Sequence, residues 1–65
     1  MVTINRQKIN CIIADRKISI KDLLVKAGCS AAVWRNITGG KPVRLSNAGK
    51  VADALGVPAE QLIQQ

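Results

Sequence analysis

The run "SIKDLLVKAGCSAAVWRNITGGK", residues 19–41, decides how this chain folds. It reads as two short helices placed around a glycine. Ser19 offers a side-chain oxygen to the free N–H groups that open a helix. Asp22 adds negative charge in the first turn, where the positive helix end favours it. Leu23, Leu24 and Ala27 fall at core spacing, and Gly28 stops the helix, because glycine takes the left-handed conformation there without steric cost. Ser30 is the next expected cap. Ala31 to about Thr38 then forms another helix, with Trp34 and Ile37 sharing a face at i, i+3. Gly39-Gly40-Lys41-Pro42 is a loop by its composition. Two helices of about eight residues joined by a turn of about three make a helix-turn-helix, whose second helix can project into a major groove.

The flanking sequence completes an all-α domain. Upstream, Thr3 to Arg16 has a helical pattern, with Val2, Ile9, Ile12 and Ile13 in a narrow arc, Arg6 at its edge and Cys11 toward solvent. Lys17 and Ile18 form the link to Ser19. Downstream, a fourth helix starts near Leu45 or Ser46 and runs to about Ala54. Ala48, Val51, Ala52 and Leu55 mark its buried stripe, and Gly49 costs it about 1 kcal/mol relative to Ala. Gly56 ends it. Pro58 suits the first turn of a last short helix, Ala59 to Gln64, with Leu62 and Ile63 turned inward. No alternation supports a strand. The expectation is one domain over residues 1–65, built of five short helices, with the motif at about 19–38.

Composition narrows the function. A chain of 65 residues buries only about 60% of the surface its unfolded form exposes, which leaves no room for a second domain or a large ligand pocket. The core must be almost wholly aliphatic, since Phe and Tyr are absent and Trp34 is the single aromatic residue. With no His and two cysteines, Cys11 and Cys29, four metal ligands cannot be assembled, and no cofactor or small-molecule ligand is expected. No signal peptide is expected, and nothing approaches the roughly 20 apolar residues of a membrane span. A reduced, cytoplasmic protein follows as the default, with Cys29 a small core residue. Ten Lys and Arg against four Asp and Glu give a net charge of +6. An excess of that size on a small surface points to an anionic partner, nucleic acid first.

Residues 19–41, followed by "VADALGVPAEQLI" at 51–63, resemble the lambda-repressor/Cro-type helix-turn-helix family of bacterial and phage regulators (the xenobiotic-response-element type). Ser19, Leu23, Gly28, Ser30, Trp34, Ile37, Gly40 and Lys41 occupy that family's places, and the similarity extends from about Ile9 to Ile63. It rests on joint spacing, since no single motif in it is rare. The resemblance implies a double-stranded DNA partner and a reading helix over 31–38. The family's base-touching places fall on Ala31, Ala32, Arg35 and Asn36. Arg can bond guanine bidentately and Asn can do the same with adenine, while the alanines can offer contact to a thymine methyl.

Phosphate contacts are expected from helix N-termini and neighbouring cations. Lys41 and Arg44 are the leading candidates, with Lys21 and the Gly39 and Gly40 amides second. Ser30 can serve both as cap and as phosphate donor. Arg6, Lys8, Arg16, Lys17, Lys26 and Lys50 are spread along the chain, several as ordinary solvated charges. Each assignment has a plainer counterpart. Arg35 and Asn36 can be a solvated helix face. Trp34 at an inward place reads as core rather than as a ring stacked on a base.

The chain also departs from the family. Ile20 stands where Gln is frequent, Leu24 where Ala is usual, Ile13 where helix one often has Arg, and Thr38 where Glu often closes the reading helix. Ile13, Ile20 and Leu24 therefore sustain a rival function, a protein-interaction module of antitoxin or anti-repressor type, if they form an exposed apolar patch. An enzyme is not expected, because no nucleophile–base or acid–base arrangement can be drawn from these residues. The DNA reading makes the protein a small transcriptional regulator, a repressor or autoregulator in the modal case. Family members usually bind as symmetric dimers, and Val57, Leu62 and Ile63 are the candidate homodimer surface, or else they close the core.

Overall fold

Four α-helices carry the chain in the computed structural model, which describes residues 1–63: α1 (Arg6–Arg16), α2 (Ile20–Ala27), α3 (Ala31–Thr38) and α4 (Leu45–Leu55). A single 3-10 turn, Ala59–Gln61, follows. The all-α helix-turn-helix class holds, with four helices rather than five. The last helix expected over 59–64 shrinks to that turn. Its Gln64 lies outside the described residues. Pro58 precedes the turn in extended backbone, at φ −63° and ψ 142°.

The start of the chain differs from the helical reading. Residues 2–4 are extended: Val2 pairs antiparallel with Val43, and Ile4 with Ile63. Val2 and Val43 exchange backbone hydrogen bonds of 2.8 and 2.7 Å, and the Asn5 N–H donates to the Leu62 carbonyl. Two β-branched side chains, Val2 and Ile4, suit extended backbone, and Ile4 gains full burial there, at 1% exposure. The helix begins only where a cap is available. The Asn5 side chain accepts from the Lys8 N–H at 3.1 Å, so α1 starts at Arg6 and Val2 is not on its wheel.

All four helices end in the same way. A residue with positive φ closes each of them: Lys17 (54°), Gly28 (71°), Gly40 (74°) and Gly56 (74°). In every case its N–H, and that of the next residue, bond back to the last turn; for α1 these are Lys17 to Ala14 and Ile18 to Ile13. This is the Schellman arrangement, which satisfies carbonyls that a helix end leaves unpaired. The residues that follow three of these turns are apolar and half-buried: Ile18, Cys29 and Val57. Lys41, after α3, is exposed. The end of α3 is therefore turned to solvent where the others close on the core.

The core gathers around α4, whose Ala48, Val51, Ala52, Ala54 and Leu55 are buried and which packs chiefly on α2. Ile4, Ile9, Leu23, Ile37, Val43 and Leu62 complete it. Leu62 is fully buried, so it closes the core and cannot offer a dimer surface; Val57 and Ile63 are half-buried. No polar side chain is buried among the described residues.

Candidate nucleic-acid interface

α3 divides cleanly into two faces. Ile37 is buried, and Val33 and Trp34 are half-buried against the core. Ala31, Ala32, Arg35 and Asn36 are all exposed. At about 100° per residue these four span an arc of about 140°, opposite the three inward ones, and exposed Thr38 falls beside Ala31 at the edge of that arc. Trp34 thus packs inward while keeping part of its ring in solvent. Val33 shares the inward face and was missed by the sequence reading. Its β-branched side chain beside Trp34 was the available signal.

The turn that presents this helix is tight. Gly28 takes φ 71° and ψ 28°, its N–H donates to the Val25 carbonyl and the Cys29 N–H to that of Leu24. Ser19 caps α2 as expected, accepting from the Asp22 N–H at 3.1 Å. Ser30 does not repeat this at α3. It occupies the N-cap place in extended backbone, but its side chain makes no capping hydrogen bond. With ψ at 164° the carbonyl still starts the helix, accepting from Val33 and Trp34. The hydroxyl, on an exposed residue, remains available to an outside acceptor.

α4 also opens on a residue, Arg44, that supplies no side-chain cap, and neither α3 nor α4 has an acid in its first turn. The first amides of a helix lack internal partners, and a positive helix end favours an anion. Both ends are therefore suited to phosphate, and at α4 the Arg44 guanidinium stands at the same end.

Beyond α3 the amides are spoken for. The Gly39 N–H donates to the Arg35 carbonyl at 2.8 Å and the Gly40 N–H to that of Ile37 at 3.2 Å. They are not free phosphate donors, which corrects the sequence expectation. Lys41, Arg44 and Lys21 are exposed. Lys41 belongs with the α3 face, because its own N–H donates to the Asn36 carbonyl at 2.8 Å. Lys21 sits on the first turn of α2, outside that grouping.

Arg6, read from sequence as one of the scattered basic residues, has a specific partner. Its Nη1 donates to the Thr38 carbonyl at 3.1 Å, across the end of α3. A groove of about 550 Å³ lies beside this bond, lined by residues of α1 and by Ile37 and Thr38. Arg16, at the other end of α1, lies over Gly56, where an added Cβ would meet Nη1 at 3.6 Å. So α1 supplies a guanidinium to the C-terminal ends of both α3 and α4.

Ile13 packs against the core and, like Ile20 and Leu24, is half-buried. The large apolar side chains exposed are instead Met1, Val25 and Leu45. Among the described residues, no three His, Cys, Asp or Glu side chains come together as a metal ion would require. Cys11 is exposed, Cys29 is half-buried, and both are free thiols. No helix among them is long and apolar enough to cross a membrane.

A family model for the Cro/C1-type HTH DNA-binding domain matches residues 8–64. Among curated proteins and among solved structures, nothing matches the chain.

Proposed function

Since the chain belongs to the Cro/C1-type helix-turn-helix family of DNA-binding transcription regulators, we propose that it acts as a sequence-specific repressor or autoregulator with α3 in the major groove. The observation that carries this reading is the outward arc of α3, where Ala31, Ala32, Arg35 and Asn36 stand together and are all exposed. Arg35 and Asn36 supply the hydrogen bonds to bases, and the alanines let the helix approach closely and touch thymine methyls. Ser30, Lys41, Arg44 and Lys21 hold phosphates, aided by the first amides of α3 and α4. One such unit covers few base pairs, so two copies on an inverted repeat give the affinity a single copy lacks. Val57 and Ile63 are the residues of the candidate dimer surface that retain exposure.

The rival reading, an interaction module on the same fold, needed Ile13, Ile20 and Leu24 as a bare apolar patch. Ile13 packs against the core and is lost to such a patch, which weakens that reading, while Ile20 and Leu24 stay half-buried on α2. Fluorescence anisotropy tests the choice, using a duplex from upstream of the protein's own gene beside a scrambled duplex, each over a range of salt. Tighter binding to the first, with affinity falling steeply as salt rises, is expected. Absence of binding to either duplex at low salt would remove the DNA reading in favour of a protein partner.

A further inference from the structure

The first six residues grip both ends of the loop that follows α3. At its entry, Arg6 Nη1 donates to the Thr38 carbonyl at 3.1 Å. At its exit, Val2 and Val43 exchange both backbone hydrogen bonds, at 2.8 and 2.7 Å. Residues 39–42 lie between these grips, and Lys41 is tied back to Asn36 by its own amide.

The placement of Arg6 makes sense only in relation to α3. It is the first residue of α1, where a cation opposes the dipole of its own helix, and no acid in that turn offsets it. The same guanidinium sits at the negative end of α3, where carbonyls need donors. Arg6 is an exposed residue beside an open groove, so packing does not force its side chain across. Gly40 lies just below it, with an added Cβ falling 4.0 Å from Arg6 Cζ. A Cβ at that place would rest in ordinary contact with the guanidinium.

Building on the DNA-binding reading above, we infer that Arg6 is a positioning residue. Together with the Val2–Val43 pairing, it fixes the last turn of α3 and the 39–43 loop in the geometry in which Asn36 reads a base. It does this without touching DNA. The short side chain of Asn36 makes base readout sensitive to a small shift of that turn. The long, flexible stem of Lys41 can still follow a phosphate through the same shift. Loss of the clamp therefore erodes discrimination before it erodes general affinity.

The experiment compares wild type, Arg6→Gln, Arg6→Lys and Val2→Pro. Amide hydrogen exchange at Gly40 and Lys41 is measured in the free proteins, whose folding is checked by circular dichroism. Binding is then measured at several salt concentrations to the duplex that wild type enriches from a random pool, and to a scrambled duplex. Arg6→Gln should speed exchange at both amides by about tenfold, as a locally opened segment does. It should also cut the ratio of specific to scrambled affinity about three- to tenfold, with the salt slope unchanged. Arg6→Lys, which keeps a donor and the charge, should restore both; Val2→Pro, which removes the Val2 N–H, should repeat the loss.

Unchanged exchange with a salt slope reduced by about 0.9 would make Arg6 a direct phosphate contact and overturn the clamp. So would wild-type exchange and discrimination in Arg6→Gln. Should the pool yield no enriched duplex for wild type, the DNA reading itself fails. The exchange rates then still decide whether Arg6 holds the loop, and no change in them refutes it.

Discussion

The Lys41 amide donates to the carbonyl of Asn36 at 2.8 Å, joining the first cation after α3 to an outward residue of that helix. The bond forms because Gly40 turns the chain with φ at 74°. An alanine there meets no hard obstacle, the nearest atom being Arg6 Cζ at 4.0 Å, but it must hold a left-handed backbone. Gly40→Ala should therefore cost about 1 kcal/mol, from conformation rather than collision. In a domain of this size that lowers the melting temperature by roughly 4–8 °C. Gly40→Asn should lose less, because Asn tolerates this region. Equal losses in thermal melts of the two variants would contradict the conformational account.

Gly49 presents the opposite case. It lies within α4 without positive φ, and a Cβ built on it meets nothing within 4 Å. Gly49→Ala should stabilise the domain by about 1 kcal/mol, since it adds helix propensity and restricts the unfolded chain. Urea unfolding should show a higher midpoint with the same slope. A lower midpoint would mean that α4 needs the glycine for a close approach that the free chain does not make.

Lys17 is the one non-glycine residue with positive φ among the described residues, at 54°. Left-handed backbone strains a residue with a Cβ, and Gly is the usual occupant of this place after a helix. Lys17→Gly should relieve that strain, offset in part by the greater freedom glycine has when unfolded. A net gain of about 0.5 kcal/mol in urea unfolding is expected. A loss would show that the lysine side chain contributes more at this turn than its backbone costs.

The contrast between Ser19 and Ser30 shows how far sequence reading reaches. Both were legible as helix starts, because backbone preference is local. Only Ser19 makes the capping bond, and that depends on a rotamer which the sequence does not set. The α2–Gly28–α3 unit was legible for the same local reason, as was the outward set on α3. The extended start at residues 2–4 was not. Its partners, Val43 and Ile63, lie far along the chain, and β pairing between distant segments overrides a short helical pattern. Arg6 was read only as one of the basic residues spread along the chain, because its partner, Thr38, is 32 residues away. Spacing likewise pointed Leu62 inward, but it could not decide between core closure and a dimer face. Full burial decides for the core.

Leu62 then carries a sharp consequence for stability. Its side chain is fully buried beneath the turn that returns the chain to Ile4 and Asn5. Leu62→Ala should cost about 2–5 kcal/mol, from lost burial and the cavity left behind. A domain this small has a total of only about 3–10 kcal/mol at the usual stability per residue. The variant should be partly unfolded at 37 °C by circular dichroism, whatever its concentration. If stability instead held at high concentration and fell on dilution, folding would be coupled to association and the loss could not be ascribed to the core of one chain alone.

The proposed DNA face separates into two classes of contact with different signatures. Arg35 and Asn36 stand outward on α3 and are assigned to bases, so Arg35→Ala and Asn36→Ala should each weaken binding to the preferred duplex by about 1–3 kcal/mol. Binding to scrambled DNA should change far less, because a lost base contact matters only where the matching base is present. The salt slope should hold for Asn36→Ala and shift little for Arg35→Ala. Lys41→Ala should behave in the other way. On the proposed reading it removes a phosphate contact, so affinity should fall for both duplexes alike and the salt slope should drop by about 0.9. Anisotropy titrations over a range of salt measure both quantities in one series. A uniform loss for Arg35→Ala, with its slope reduced, would move that residue to the backbone and leave Asn36 to specify bases alone.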